Sequence, residues 1–263
     1  MIYVLLLLIV TAVWGWTFVL VKDAVTQYPT LPFLQIRFAL ALLVMALLVR
    51  RLPTRRELRI GVIVGAVLAG GYLTQTAGLT STSPGNAGLI TGLFVVFTPL
   101  LNRIFGARIR WWTWVAAVVS LAGLIFLTGG PSGMGIGDVL VLLCAVLFAL
   151  HIVLLGRWSP GLPAAPLAMV QMGTSALIFS VGGTWQLHAP SGSVWFAIVI
   201  TGVFASAFGF YIQTWSQGFI SAVLAGQRLG LLQAVGAALV LAAIVGHELA
   251  SLKFEVHGQP SPP

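Results

Sequence analysis

Apolar residues in this chain fall in blocks rather than alternating with polar ones. Nine blocks approach the length of a membrane crossing: 2–22, 32–49, 59–79, 86–105, 111–128, 138–156, 164–185, 194–216 and 230–249. A helix needs about 20 apolar residues to traverse the hydrocarbon core of a bilayer, so each block predicts one transmembrane helix. Gly and Pro punctuate the ends. Pro32 opens the second block, Pro84 precedes the fourth, and Gly129–Gly130–Pro131 closes the fifth. The polar, Pro-rich segment 251–263 is expected to be a disordered tail. The predicted fold class is an all-α integral membrane protein of about nine transmembrane helices.

Composition supports a lipid solvent. Of the 263 residues 59% are hydrophobic and only 7% charged, against about 25% charged in a soluble domain. The net charge of +8 is no nucleic-acid footprint, because the arginines sit between apolar blocks and not on a polar domain. Arg50, Arg51, Arg55, Arg56 and Arg59 cluster before the third block, Arg103, Arg108 and Arg110 before the fifth, and Arg157 before the seventh. The alternate linkers carry almost no basic residues, Lys22 excepted. Positive loops face the cytoplasm, which predicts a multi-pass protein of the inner (plasma) membrane with its N-terminus cytoplasmic. Cys144, the single cysteine, lies within an apolar block and reads as a small buried hydrophobe. The first block is too long for a signal-peptide core and lacks an A-x-A site.

The chain repeats itself. Trp14–Leu20 aligns with Phe148–Leu154, and Pro32–Arg37 with Pro166–Gln171, both at an offset of 134 positions. Gln75-Thr76 aligns with Gln213-Thr214 at 138, and Gly106–Ile109 with Gly226–Leu229 at 120. Two five-helix units have opposite membrane orientation because five is odd, the inverted-repeat plan of many secondary transporters. The drop of 18 positions corresponds to about 27 Å of helix, close to one crossing. The second unit therefore lacks the counterpart of the fourth block, between about 221 and 226. The expected division is a first repeat at 1–129, a second at 130–250, and the tail. Nine crossings put the tail outside, whereas ten would put it in the cytoplasm, unless 218–225 forms a re-entrant or extended link.

Several segments carry a family resemblance: WGWTFVLVK at 14–22, IRFALALLV at 36–44, QTAGLTSTSPGNAGLITGLFVVFTPLL at 75–101 and GARIRWWTWVAAVVSLAGLIFL at 106–127. In the second half they are GDVLVLLCAVLFALHIVLLGR at 137–157, IQTWSQGFISAV at 212–223 and GQRLGLLQAVGAALVLAAI at 226–244. The chain resembles the drug/metabolite transporter superfamily, in the branch with two EamA-type domains. The resemblance implies ten helices around a central cavity lined by both halves, with alternating access, and export of amino acids or other small metabolites. The departures are the missing ninth helix and Gln227, where family members often carry Glu. Two functions follow as expectations. The first is a transporter, in the export direction, of a small metabolite such as an amino acid. The second is a truncated, non-transporting homologue acting as a membrane scaffold.

Candidate chemistry is sparse. There is no HExxH, nucleophile elbow, Walker loop or paired-carboxylate motif, so no enzyme activity, metal or cofactor is expected. Asp23, Asp138 and Glu248 sit at the ends of blocks, which argues against a carboxylate proton relay. Arg37, about 8 Å into the second block by helix rise, either meets an anionic substrate group or snorkels to the interface or to helix-end carbonyls. His151 either titrates or binds substrate, or is a satisfied packing residue; it aligns with Thr17. Trp14 and Trp16 are cavity candidates beside Gly15. Tyr72, Gln75, Asn86, Thr91, Tyr211 and Gln213 are polar or amphipathic groups in lipid-length blocks and should face the bundle interior. Gln75 and Gln213 read as interhelical glue or ligand contacts, and Asn86 as a helix cap or a ligand contact. Trp111, Trp112 and Trp114 suggest an interfacial belt. The expected partners are a small-molecule substrate, the lipid bilayer and, as a further candidate, a second copy of the chain; nucleic acid is not expected.

Overall fold

The structure, a computed structural model, describes residues 2–49, 51–106, 111, 114, 115, 118, 119 and 134–224, with side chains from 9 to 216 apart from 11. The helices are α1 Ile2–Gln27, α2 Thr30–Leu48, α3 Arg55–Leu79, α4 Pro84–Gly92 and α5 Phe94–Ile104, then α6 Ile136–Trp158, α7 Ala164–Gly183, α8 Gly192–Val199 and α9 Gly209–Leu224. A π-helical segment, Ile200–Phe208, joins α8 to α9 without a break. Among the described residues six stretches are long and apolar enough to cross a membrane, and α4–α5 and α8–Ser216 each count as one. The 26-residue α1 lies alongside them. The fifth block is described only at scattered positions, and the ninth block, the aligned Gly226–Leu229 and the tail lie outside the described residues.

Two predicted boundaries need correction. The fourth block is two helices, not one. A tight turn at Leu93, whose N–H reaches the Ile90 carbonyl at 3.1 Å, separates them. Pro99 lies nearly two turns further on, where it can offer no N–H to the carbonyl of Val95 and its ring crowds that carbonyl. The eighth block also runs on. Helix α9 continues to Leu224, so 218–224 is helical and not an extended link.

The starts of the helices follow from local chemistry. Pro32 and Pro166 each occupy the first turn of their helix, where the missing N–H would have no partner. Thr54 and Glu57 form a reciprocal capping box on α3: Glu57 N donates to Thr54 Oγ1 at 3.3 Å, and Thr54 N donates to Glu57 Oε2 at 2.7 Å. Arg51 grips the same carboxylate with two N–H bonds, at 3.0 and 2.6 Å. This uses one arginine of the predicted cytoplasmic cluster to neutralise a helix-start acid. Thr54→Ala is expected to lower stability by about 1 kcal/mol, read as a shift in chemical denaturation. At the other end of α3, the Lys22 ammonium donates to the carbonyls of Leu79 and Thr80, satisfying a helix C-terminus.

Glycine sets the packing. Along α3, Gly61 faces Val170 and Gly65 lies against the backbone of Gln171, so α3 and α7 run parallel in close contact. Small residues four apart allow such an approach without lipid between the helices. Gly71 faces Phe148, and Gly78 meets the carbonyl of Gly137, which makes α3 and α6 antiparallel. Leu31 abuts Gly182 and Gly183 while Leu42 reaches Gly173, so α2 and α7 are antiparallel too. The outside is apolar: Leu47, Leu177, Val181 and Trp185 are each more than 70% exposed. Polar groups including Arg37, Thr76, His151, Gln171, Ser206 and Gln213 are buried. This inversion suits a protein whose solvent is hydrocarbon.

Candidate functional site

Helix α2 begins at Thr30, which puts Arg37 seven residues inside it, about 10 Å by helix rise. Its side chain does not snorkel. Arg37 is 2% exposed and turns into the bundle, where Nε donates to Ser206 Oγ of the π segment at 3.0 Å. Its guanidinium carbon stands 4.6 Å from the ring centre of Tyr72 and 5.6 Å from that of Phe38. Electron-rich ring faces attract a cation most strongly when water is excluded.

Tyr72 is the hub of an aromatic cluster. Its ring centre lies 5.0 Å from Phe38, 5.3 Å from Phe148 and 5.9 Å from Phe210, all edge-to-face. Trp14 joins through Phe210 at 5.4 Å and anchors its indole N–H on the Ala205 carbonyl at 2.8 Å. His151 stands edge-on to Phe210 at 5.7 Å. Its Nε2 lies 2.8 Å from Gln171 Oε1, and Gln171 Nε2 donates to the Leu167 carbonyl. With the amide oriented that way, His151 Nε2 must carry the proton and Nδ1 is the acceptor.

The structure therefore joins Trp14, Arg37, Tyr72 and His151. Thr17 is buried next to Trp14 but bonds back to the Trp14 carbonyl of its own helix. Tyr211 packs against the rim of the same core. Trp16 does not belong. The buried face of α1 runs through Val10, Thr17, Val21 and Ala24, in register with Trp14. Trp16, two positions on from Trp14, is rotated about 200° around the helix and is 51% exposed. Trp14→Ala is accordingly expected to weaken binding or flux at least severalfold, while Trp16→Ala leaves both unchanged, as a ligand titration of the two variants would show.

Gln75 holds α3 to α4 by donating to Thr91 Oγ1 at 3.3 Å, the glue reading, with Cys144 beside both. Asn86 is not the cap of α4. Ser83 is, since its Oγ accepts from Asn86 N at 3.1 Å. Gln213 Oε1, Thr76 Oγ1 and Thr214 Oγ1 are buried without a hydrogen-bond partner among the described residues. Trp111 and Trp114 are exposed, and Trp112 lies outside the described residues. Phe38, Phe148, Phe210 and Ser206 belong to this cluster but are absent from the sequence-derived candidates. The repeat pairing Trp14 with Phe148 could have flagged Phe148, whereas nothing in the pattern marks Ser206.

Among the described residues no acid is bonded to this cluster. Glu57 is held by Arg51, Asp138 accepts from Thr82 and from Gly135 N, and Asp23 is exposed near the end of α1. No grouping of metal-ligating side chains occurs among the described residues.

Comparison with known proteins fixes the class. Residues 1–129 match the EamA-like transporter family. The first half of the chain carries that family's domain. A protein of Archaeoglobus fulgidus named "Uncharacterized transporter" is 29% identical over 252 residues, 94% of this chain and 80% of the relative. The "Uncharacterized inner membrane transporter YedA" of Escherichia coli K12 is 29% identical over 205 residues, 74% of this chain and 67% of the relative. A solved chain described as "Crystal structure of protein" superposes with a TM-score of 0.60 at 20% identity, covering 96% of this chain and 98% of that one. At that identity the likeness speaks for the fold alone. The chain is thus a multi-pass membrane transporter of EamA type.

Proposed function

We propose that this permease exports a small metabolite by alternating access, with two inverted halves rocking about the Arg37–Tyr72–Phe210 cluster. The observation that carries the reading is a pair of matched contacts. Trp14 meets Phe210 at 5.4 Å, and Phe148 meets Tyr72 at 5.3 Å. The repeat offset of 134 relates Trp14 to Phe148, and that of 138 relates Tyr72 to Phe210, so each contact is the other's image. Two further facts support the same relation. The aligned helices α2 and α7 are antiparallel, as inverted units require. Gly65 lies against the Gln171 backbone as Gly202 lies against the Arg37 carbonyl. The second half uses one residue more between Gly202 and Phe210 than the first between Gly65 and Tyr72, and a π-helical turn accommodates one such insertion.

The arginine-rich linkers favour a cytoplasmic N-terminus and, with the bacterial relative, an inner-membrane location. The division into a repeat at 1–129 and a shorter one at 130–250 is part of the same proposal. Reconstituted in proteoliposomes, the full chain is expected to carry at least one member of a panel of amino acids and organic acids down its gradient; folded protein that carries none would overturn the reading. The alternative is a truncated, non-transporting homologue acting as a membrane scaffold. The same flux assay separates the two.

A further inference from the structure

Among the described residues, the buried cation Arg37 has no carboxylate paired with it. Arg37 is always protonated, and its described neighbours are neutral: the rings of Tyr72 and Phe38 and the hydroxyl of Ser206. Helix α2 and the stretch from Ala164 to Leu224 contain no Asp or Glu, and the single acids of α3 and α6 are Glu57 and Asp138, both in first turns and both engaged. The other titratable group at the cluster, His151, sits across Phe210 with its proton on Gln171. A buried charge of this kind is expensive unless something opposite in sign pairs with it. Ser206 Oγ takes the Nε–H, and the Tyr72 side chain also hydrogen-bonds to the guanidinium, so both partners are neutral and donors remain for an incoming acceptor.

We infer that the missing partner is the substrate, and that this permease selects a monocarboxylate with an apolar body over both its neutral amide and the corresponding zwitterionic amino acid. This rests on the cluster being the substrate site. A planar carboxylate matches the guanidinium fork and neutralises it one for one, whereas a phosphate dianion would leave net charge in an apolar site. Trp14, Phe38, Tyr72, Phe148 and Phe210 supply aromatic surface for the rest of the molecule. An α-ammonium group would enter the field of Arg37 with no carboxylate among the described residues of the cluster to receive it.

The test is equilibrium binding to the purified full chain in nanodiscs, which needs no transport. The probes are phenylacetate, benzoate and octanoate, each beside its amide, and phenylalanine beside phenylacetate. At least tenfold tighter binding of the acids is expected, abolished in Arg37→Gln and partly kept in Arg37→Lys. Equal binding of acid and amide in all three pairs, tighter binding of phenylalanine, or an unchanged preference in folded Arg37→Gln would each overturn the inference. Should Arg37→Gln fail to fold, the wild-type acid–amide comparison decides alone. Carboxylate-selective binding without flux would sink transport and keep this inference; flux indifferent to charge would do the reverse.

Discussion

Gly137→Ala is expected to destabilise the permease by about 1–3 kcal/mol, well beyond Gly70→Ala or Gly192→Ala. A Cβ at Gly137 would sit 2.7 Å from the carbonyl oxygen of Gly78, 2.9 Å from the carbonyl carbon of Ser81 and 3.0 Å from Thr82 N. All three are backbone atoms, so no rotamer change relieves the clash, and α3 and α6 must separate. Separation loosens the hydrogen bond from Thr82 to Asp138 in the same joint. Gly70→Ala meets only the flexible Leu147 Cδ1 at 3.4 Å, and Gly192→Ala meets nothing within 4 Å. Both should be well tolerated. Thermal unfolding of the three variants in one detergent gives the ranking, and a Gly137→Ala protein as stable as Gly192→Ala would refute the packing account.

Arg37→Leu should separate function from stability. Replacing a buried charge with an apolar residue of similar bulk is often neutral or stabilising, because the desolvation penalty disappears with the charge. The lost Ser206 hydrogen bond is worth about 1.5–3 kcal/mol when charge-assisted, so the net change in stability should be small in either direction. Flux, in contrast, should fall by tenfold or more if the guanidinium holds substrate. A folded Arg37→Leu protein with normal flux would reassign Arg37 to a structural role.

Much of the fold was legible because bilayer thickness constrains helix length. The blocks at 138–156 and 164–185 foretold α6 Ile136–Trp158 and α7 Ala164–Gly183 within about two residues. The turn at Leu93 was not legible, since Leu carries no breaking signal and the one available sign, Pro99, lies nearly two turns away. The π segment was equally hidden, because one inserted residue leaves an apolar run apolar. At the site, residue type was readable but direction was not. Trp14 and Trp16 are the same residue two positions apart, and only the helical phase of α1 sends one inward and the other out. Arg37 was legible only as an anion partner or a snorkelling residue, because depth along a block does not say which way a side chain turns. The true helix start at Thr30 and the facing Ser206 hold it inside. Asn86 lost its capping role to Ser83, which satisfies the N–H three residues ahead of it.

The central claim, that the buried Arg37 cluster is the place substrate occupies during transport, is tested most directly by accessibility. Cys144, the only cysteine, is buried and can be replaced by Ala to give a thiol-free background. Ser206→Cys then sets one thiol beside Arg37. The account predicts that a small membrane-impermeant thiol reagent added to proteoliposomes modifies this cysteine, and that a transported solute protects it. A cysteine at 206 that stays inert from both sides of the membrane, or reacts without protection by any transported solute, would contradict it.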